Sequence, residues 1–186
     1  KMPQWRTGLT KSLHASRSMP ESRYFQLATA DKDGVPYCRT VVYRGLSDDN
    51  KLIVISDTRT EKYNQLSQQA KAQGCWYFSK TREQYRFSVN ATIVTENEDR
   101  ALIEAHWAKL SDAGKKQFLW GDPGTPRNNG LPLQIAGDYS VAPEHFCVIL
   151  LDIFNVDYLN LRGNPQYREL HRRDEMGNWV SQSIVP

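Results

Sequence analysis

Hydrophobic and polar positions alternate with a period of two along most of this chain, which is the pattern of half-buried β-strands. The first strand is predicted over residues 22–30, and an Asp-Gly turn at 31–34 separates it from a second strand over 35–45. Further strands are predicted over 52–56, 75–79, 84–95, 146–161, 167–172 and 179–184. The short turns between the early strands favour antiparallel pairing.

Three segments show the helical period instead. Residues 5–16 carry Trp5, Leu9 and Leu13 at every fourth position, which predicts a short amphipathic helix. A second helix is predicted over 60–70, with Thr60 as its N-cap and Tyr63 and Leu66 facing inward. A third is predicted over 98–118.

Strands outnumber helices, and tight turns join the early ones. We therefore expect residues 1–186 to form a single, mainly β domain, an antiparallel Greek-key-like barrel with peripheral helices. The segment 121–143 holds four prolines and four glycines, which predicts a long loop.

Composition narrows the class of protein. The excess of 24 Lys and Arg over 21 Asp and Glu gives a net charge of +3, which does not demand a nucleic-acid partner. The longest apolar run, 146–151, is far shorter than the ~20 residues that cross a bilayer. Cys38, Cys75 and Cys147 lack metal spacing, so we expect no metal, reduced thiols packed as small hydrophobes, and a cytoplasmic location.

The first candidate for chemistry is the strand segment 39–45, Arg-Thr-Val-Val-Tyr-Arg-Gly. Alternation along a strand places Arg39, Val41 and Tyr43 on one face, and the neighbouring residues, Arg44 among them, on the other. Such a strand can offer cations and backbone groups to a flat heterocycle. An edge strand protected by cations explains the same pattern.

The second candidate is the strand-to-helix turn at 55–62, Ile-Ser-Asp-Thr-Arg-Thr-Glu-Lys. The unpaired N–H groups of a helix's first turn, with Arg59 and Lys62 beside them, can bind an anion. An ordinary capped helix with solvated charges is the alternative. In the third candidate, Gln84 within the segment 82–86 offers a donor and an acceptor to a ring edge, or is a surface glutamine.

These three segments, in this order and spacing, resemble the pyridoxamine 5′-phosphate oxidase-like FMN-binding split barrels, in a less characterised branch of that family. The resemblance covers 24–95 and the carboxy-terminal hairpin. It implies an FMN-dependent oxidoreductase, in which a small substrate passes a hydride to FMN N5 and oxygen or another acceptor reoxidises the flavin. It also implies a homodimer with FMN at the interface, with strand faces such as Val41 and Tyr43 between the subunits.

The resemblance also implies roles for single residues. Arg39 and Lys62 would bind the FMN phosphate, Gln84 the ring edge, and Arg168 would lie near the ring. Where the family has Ser-Arg-Lys this chain has Thr60-Glu61-Lys62, so we infer that Arg59 replaces the arginine. Other expected cofactor contacts are Thr40, Val41, Val42, Ile55, Ser56 and Thr60, with Arg44 touching both cofactor and substrate.

The substrate half departs from the family pattern. Residues 164–168, Asn-Pro-Gln-Tyr-Arg, stand where characterised oxidases carry Arg-x-His, and Leu159 replaces a tryptophan against the flavin. A phosphorylated B6 vitamer would need Arg44, and Arg127 or Arg162, as phosphate clamps. The substrate therefore stays open between such a vitamer and another small molecule.

Two functions of other classes remain. One is a flavin- or haem-binding module without turnover. The other is a barrel that binds single-stranded nucleic acid by stacking bases on tyrosines, against which the weak net charge counts. The expected stacking residues are Tyr24, Tyr37, Tyr43 and Tyr85.

Overall fold

The computed structural model describes residues 2–186 and confirms the mainly β, antiparallel class. The strands are β1 Tyr24–Ala30, β2 Pro36–Val42, β3 Lys51–Asp57, β4 Lys71–Phe78, β5 Glu83–Val94, β6 Phe146–Asn160, β7 Tyr167–Arg173 and β8 Trp179–Ile184. The helices are α1 Gln4–Ala15, α2 Glu61–Gln68, α3 Arg100–Ala108 and α4 Asp112–Gln117, and Pro20–Arg23 forms a 3-10 turn.

All eight strands join one antiparallel sheet in the order β2-β1-β4-β5-β6-β7-β8, and β3 pairs with β6 outside this path. The length of β6 explains the branch: residues 146–152 pair with β3, residues 155–160 pair with β7, and β5 follows nearly the whole strand. The sheet does not close on itself. Its path ends at β2 and β8, so β2 pairs with only one other strand, as the edge-strand alternative for 39–45 requires. Residues 44 and 45, just after β2, bond to Ile53 of β3.

The inner face of the sheet carries the main core, which includes Phe25, Leu27, Trp76 and Phe87, each 0% exposed. Helix α1 covers this face. Its Trp5 packs edge-on against Phe87, with ring centroids 5.9 Å apart, as expected for an apolar stripe repeating every fourth residue. A second cluster lies between α3 and the first half of β6, around Trp107 and Phe146.

Several boundaries differ from the sequence prediction. The single helix expected over 98–118 is wrong: α3 ends at Ala108, and the Ser111 hydroxyl accepts from the Gly114 N–H at 3.1 Å to begin α4. Strand β4 begins at Lys71, four residues early, because α2 ends at Gln68. The loop prediction for 121–143 is confirmed, since this segment contains no helix or strand.

Strand register sets the two faces of β2. Arg39 and Val41 pair with the buried Leu27 and Phe25 and so lie on the inner face. Val41 is 7% exposed, and Tyr43 packs on Trp76 with ring centroids 5.1 Å apart. The expectation that Val41 lies between subunits is therefore wrong, because Val41 belongs to the protomer's own core. Tyr43 is half-buried and packs against that core.

The three cysteines differ in exposure, and Cys75 is partly buried. Cys147 is buried, as predicted for a small hydrophobe, whereas Cys38 is exposed on β2, where that prediction is wrong. Burial raises the pKa of the Cys147 thiol to about 12. No helix within residues 2–186 is long and apolar enough to span a membrane.

Candidate functional site

The turn from β3 into α2 presents unpaired backbone donors. As predicted, Thr60 caps the helix, since its hydroxyl accepts from the Tyr63 N–H at 3.3 Å and donates to the Asp57 carbonyl at 2.7 Å. Within residues 2–186, the N–H groups of Glu61 and Lys62 have no acceptor. The first turn of α2 therefore offers two donors, with the positive end of the helix dipole behind them.

Arg39 reaches this turn from the neighbouring strand β2. Its Nη1 donates to the Thr29 hydroxyl at 2.7 Å and to the Leu27 carbonyl at 3.1 Å. Its Nη2 donates to Oε1 of Gln65, on α2, at 3.3 Å. Thr29 and Gln65 are 4% and 5% exposed and also bond to each other, so the guanidinium rests on a buried polar support. No carboxylate takes part in this support.

Lys62 lies beside Arg39 and forms no ion pair. Burial lowers the pKa of Lys62 and the neighbouring Arg39 lowers it further, while the nearby Asp57 carboxylate acts in the opposite direction. Within residues 2–186, no carboxylate lies within salt-bridge distance of Lys62, and Asp57 is paired with Arg59. Two partly buried cations without a directly bound anion, next to free N–H groups, form a donor set that fits a phosphate.

Arg59 is the one predicted phosphate ligand that the structure directs elsewhere. Its Nε and Nη2 bind the Asp57 carboxylate at 3.0 and 2.8 Å. Its Nη1 donates to the Trp120 carbonyl at 3.2 Å and to Asp122 at 3.1 Å. Arg59 thus anchors the start of the 121–143 loop, and one N–H of Nη2 remains for an anion.

The other predicted contacts along this edge are split between two faces. Ile55 and Ser56 lie on β3 opposite Val148 and Cys147 of β6, and Ser56 is buried. Thr40 and Val42 face outward from β2, opposite to Val41. Thr40 accepts from Gln26 on β1 at 3.2 Å.

The predicted ring contacts come together on the outer face of the sheet. Gln84 on β5 lies opposite Leu159 on β6, and Leu159 lies opposite Arg168 on β7. Arg168 binds Asp157 through two bonds, of 3.0 and 2.7 Å, and Arg86 binds the same carboxylate at 2.6 Å. These bonds hold the pKa of Asp157 below its usual range, with Arg168 as the main cause.

The sequence analysis missed Arg86 and Asp157. Arg86 follows Gln84 by two positions, and the period of a strand places both side chains on one face. This alternation could therefore have identified Arg86 from the sequence. Asp157 had no such signal, because its role depends on the pairing of β5, β6 and β7.

A second group of basic residues lies around Arg44, and two of its members were also missed. Arg44 is exposed just after β2, and its N–H donates to the Ile53 carbonyl at 2.9 Å. Burial lowers the pKa of His106 on α3, and the positive charges of Lys109 and Arg44 lower it further. Arg44 and Lys109 therefore lie near enough to His106 for their charges to act on it. Arg127 and Arg162 are both exposed, on the 121–143 loop and beyond β6.

One protomer does not bring the two groups of predicted ligands together. Arg39 and Lys62 lie on the inner side at the β2 edge, whereas Gln84 and Arg168 lie on the outer face. A row of paired residues, Thr40, Gln26, Cys75 and Arg86, crosses that face from β2 to β5. Three strand spacings of ~4.8 Å separate its ends by roughly 14 Å.

Solved structures share this architecture. A pyridoxamine 5′-phosphate oxidase-related, FMN binding protein from Nostoc punctiforme superposes with a TM-score of 0.91 at 39% identity, and the match covers 100% of both chains. PhzG from Burkholderia lata gives a TM-score of 0.79 at 18% identity over 97% of this chain and 92% of PhzG, which shows a common fold.

Sequence comparisons agree. Pyridoxine/pyridoxamine 5′-phosphate oxidase 2 of Arabidopsis thaliana is 31% identical over 191 residues, which cover 98% of this chain and 96% of that protein. A pyridoxine/pyridoxamine 5′-phosphate oxidase of Rhizobium leguminosarum is 35% identical over 78 residues, 42% of this chain and 37% of its own. The model of the family "Pyridoxamine 5′-phosphate oxidase, FMN-binding domain" matches residues 2–95. The chain therefore belongs to the pyridoxamine 5′-phosphate oxidase family of split barrels and carries its FMN-binding domain.

Proposed function

We propose that this protein is an FMN-dependent oxidoreductase of the pyridoxine/pyridoxamine 5′-phosphate oxidase type, active as a homodimer on a small anionic substrate. One observation carries the proposal: Lys62 and Arg39 lie side by side, partly buried and with no carboxylate in direct contact, at the start of α2. A phosphate supplies the charge that this arrangement lacks.

The phosphate of FMN would be held by Arg39, Lys62 and the first N–H groups of α2, with Thr60 and the free N–H of Arg59 beside them. Residues 40–42 and 55–56 would follow the rest of the cofactor toward its ring. Gln84 would bond to the ring edge, and Arg168, fixed by Asp157, would stand near it. When bound, FMN accepts a hydride at N5 and returns the electrons to oxygen or another acceptor, while the protein supplies position and electrostatics.

A homodimer would join the two groups of ligands. Because the phosphate group lies at the β2 edge and the ring group on the outer face of β5 to β7, a second copy packed on that face would bring its Gln84 and Arg168 toward the first copy's phosphate ligands. The outer face also exposes aromatic side chains that suit an interface: Tyr24 and Tyr77 are 44% and 45% exposed.

The substrate would be anchored by an anionic group. Arg44 and Lys109, whose positive charges both act on the buried His106, supply cations beside β2 that the cofactor's phosphate does not use. Pyridoxamine 5′-phosphate and pyridoxine 5′-phosphate are the first substrates to test, since the Arabidopsis and Rhizobium relatives are named for them. The absence of Arg-x-His at 164–168 makes another phosphorylated or carboxylated substrate the next class to test.

A flavin-binding module without turnover is the second candidate, because residues 164–167 are exposed and supply neither the arginine nor the histidine of the characterised oxidases. The nucleic-acid hypothesis loses two of its four expected stacking residues. Tyr85 is 1% exposed and Tyr43 packs on Trp76, whereas Tyr24 is 44% exposed.

The deciding experiment begins with the visible spectrum and the mass of any bound small molecule in purified protein. The FMN-loaded protein is then mixed without oxygen with pyridoxamine 5′-phosphate, and flavin bleaching is followed at 450 nm, roughly the flavin maximum. Bleaching followed by reoxidation in air supports an oxidase. FMN that never bleaches with either B6 phosphate or with other anionic donors supports the non-catalytic module, and a protein that takes up no FMN overturns the proposal.

A further inference from the structure

A cavity of about 150 Å³ lies between α1 and the inner face of the sheet, on the side opposite to Gln84 and Arg168. A space of this size holds a molecule of roughly six or seven non-hydrogen atoms. Its lining is aromatic and polar, and consists of Gln4, Trp5, Gly8, Tyr85, Tyr158, Tyr167, Glu169 and His171.

Three tyrosine rings form a curved wall of this cavity. The rings of Tyr85 and Tyr158 have centroids 5.0 Å apart at an interplanar angle of 51°, and Tyr158 and Tyr167 follow at 6.4 Å and 62°. Trp5 from α1 completes the lining. Aromatic faces and phenolic oxygens both carry negative potential, so the wall favours a positively charged guest.

Two carboxylates reinforce that potential. Glu169 accepts from the Tyr167 hydroxyl, and its Oε1 lies 3.0 Å from Nε2 of His171. Glu83, behind the wall, accepts from the hydroxyls of Ser12 and Tyr158. Within residues 2–186, neither carboxylate forms an ion pair with a lysine or arginine.

His171 does not supply the missing positive charge. His171 is 3% exposed, and burial lowers its pKa more than the charge of Glu169 raises it, so the imidazole is neutral at neutral pH. The neutral ring satisfies both of its contacts, because Nε2–H donates to Glu169 while Nδ1 accepts from the Ser181 hydroxyl at 2.7 Å. The cavity thus faces a carboxylate whose charge is not compensated.

The indole N–H of Trp5 is out of a guest's reach, because Trp5 is 2% exposed and its Nε1 is itself buried. The lining therefore selects a guest by its positive charge and offers it no hydrogen bond from that indole.

We propose that this cavity is a binding site for a small organic ammonium ion, with the cation held against the tyrosine wall and Glu169. The site is separate from the cofactor ligands, because those lie at the β2 edge and on the outer face. Its occupant also touches α1, so binding stabilises the packing of that helix on the sheet.

The test compares two probes of one shape on the FMN-loaded protein. Choline and its neutral carbon isostere, in which a quaternary carbon replaces the nitrogen, are titrated at constant ionic strength. Binding is followed by tryptophan fluorescence and by saturation-transfer NMR. We expect saturable binding of choline at least tenfold tighter than that of the isostere. Equal affinities, or no saturable binding of choline, would overturn the proposal.

Single substitutions test whether the preference for choline over its isostere arises in this cavity. Glu169→Gln keeps the shape and the acceptor of the side chain, removes the charge, and should abolish the tenfold preference. Glu175→Gln makes the same change at an exposed position of the β7–β8 turn and should leave it intact. If Glu169→Gln does not fold, as judged by circular dichroism and flavin content, Tyr167→Leu at the exposed rim serves instead, with at least a fivefold loss expected. A preference that survives both cavity variants places the binding elsewhere and refutes the site.

Discussion

The guanidinium of Arg39 donates a 2.7 Å hydrogen bond to the hydroxyl of Thr29, a β1 residue that is 4% exposed. Gln65 of α2 bonds to both, so one buried network joins the sheet edge to the helix whose first turn offers free N–H groups. The cation is therefore held in place before any anion arrives, which lowers the entropic cost of binding one.

Thr29→Val tests this support without touching the proposed phosphate. We expect FMN to bind about tenfold more weakly, because a hydrogen bond to a charged group contributes ~1.5 kcal/mol or more and 1.4 kcal/mol corresponds to a factor of ten. Fluorescence titration of apoprotein with FMN measures the effect. Thr92→Val, an equal change at an exposed position of β5, is the control, and identical affinities for the two variants would show that the network does not position Arg39.

Lys62→Met tests whether Lys62 contributes to FMN binding rather than to the stability of the fold. Loss of a charge-assisted contact should weaken FMN binding roughly tenfold to a hundredfold. Arg39→Ala should weaken it at least as much, and Glu61→Gln, at the exposed neighbour, should change it little. The apoprotein, however, should become no less stable, because Lys62 is a partly desolvated cation beside Arg39. Equal losses of affinity at all three positions would contradict this interpretation of the turn.

The same lysine predicts a pH dependence of the apoprotein. Its pKa is lowered in the folded state from an ordinary value of 10.5, so the unfolded chain binds more protons just below that pH. Unfolding free energy should therefore rise with pH as Lys62 loses its proton, up to about pH 10.5. Urea unfolding at several alkaline pH values measures the slope. Lys62→Met should reduce this slope, and superimposable profiles would rule out the effect.

The alternation of residues 39–43 was sufficient to predict which side chains share a face, because strand geometry fixes that relationship locally. It did not predict that Val41 and Tyr43 face the protomer's own core, since this depends on the pairing of β2 with Phe25 and Leu27 on β1. The support of Arg39 by Gln65, 26 residues away, was invisible for the same reason. Arg59 shows why the sequence does not predict the partner of a charged side chain. Asp57 and Asp122 both form ion pairs with Arg59, and only the fold brings Asp122 within reach.

Asp157→Asn addresses the outer face. Arg168, and secondarily Arg86, depress the pKa of Asp157, so its contribution to stability is complete above its ordinary value of 3.8 and is lost as pH falls through the lower folded value. The variant should melt about 2–4 °C below the wild type at pH 7, and the gap should narrow below pH 3.8. Asp33→Asn, in an exposed turn, is the control. A difference in melting temperature that is constant with pH would mean that the charge of Asp157 does not stabilise the fold through Arg168 and Arg86.

Ala28→Glu tests the proposed homodimer. Ala28 lies on the outer face between Cys38 on β2 and Gln73 on β4, away from the proposed cofactor contacts. A carboxylate there would be buried against a second copy without a partner, at a cost that favours separation. Light scattering should report a monomer that folds normally but has lost most of its flavin, because each protomer holds Arg39 and Lys62 on one side of the sheet and Gln84 and Arg168 on the other. Met176→Glu, at the exposed β7–β8 turn, should remain dimeric and yellow. A monomeric Ala28→Glu variant that retains one FMN per chain would show that a single protomer completes the site.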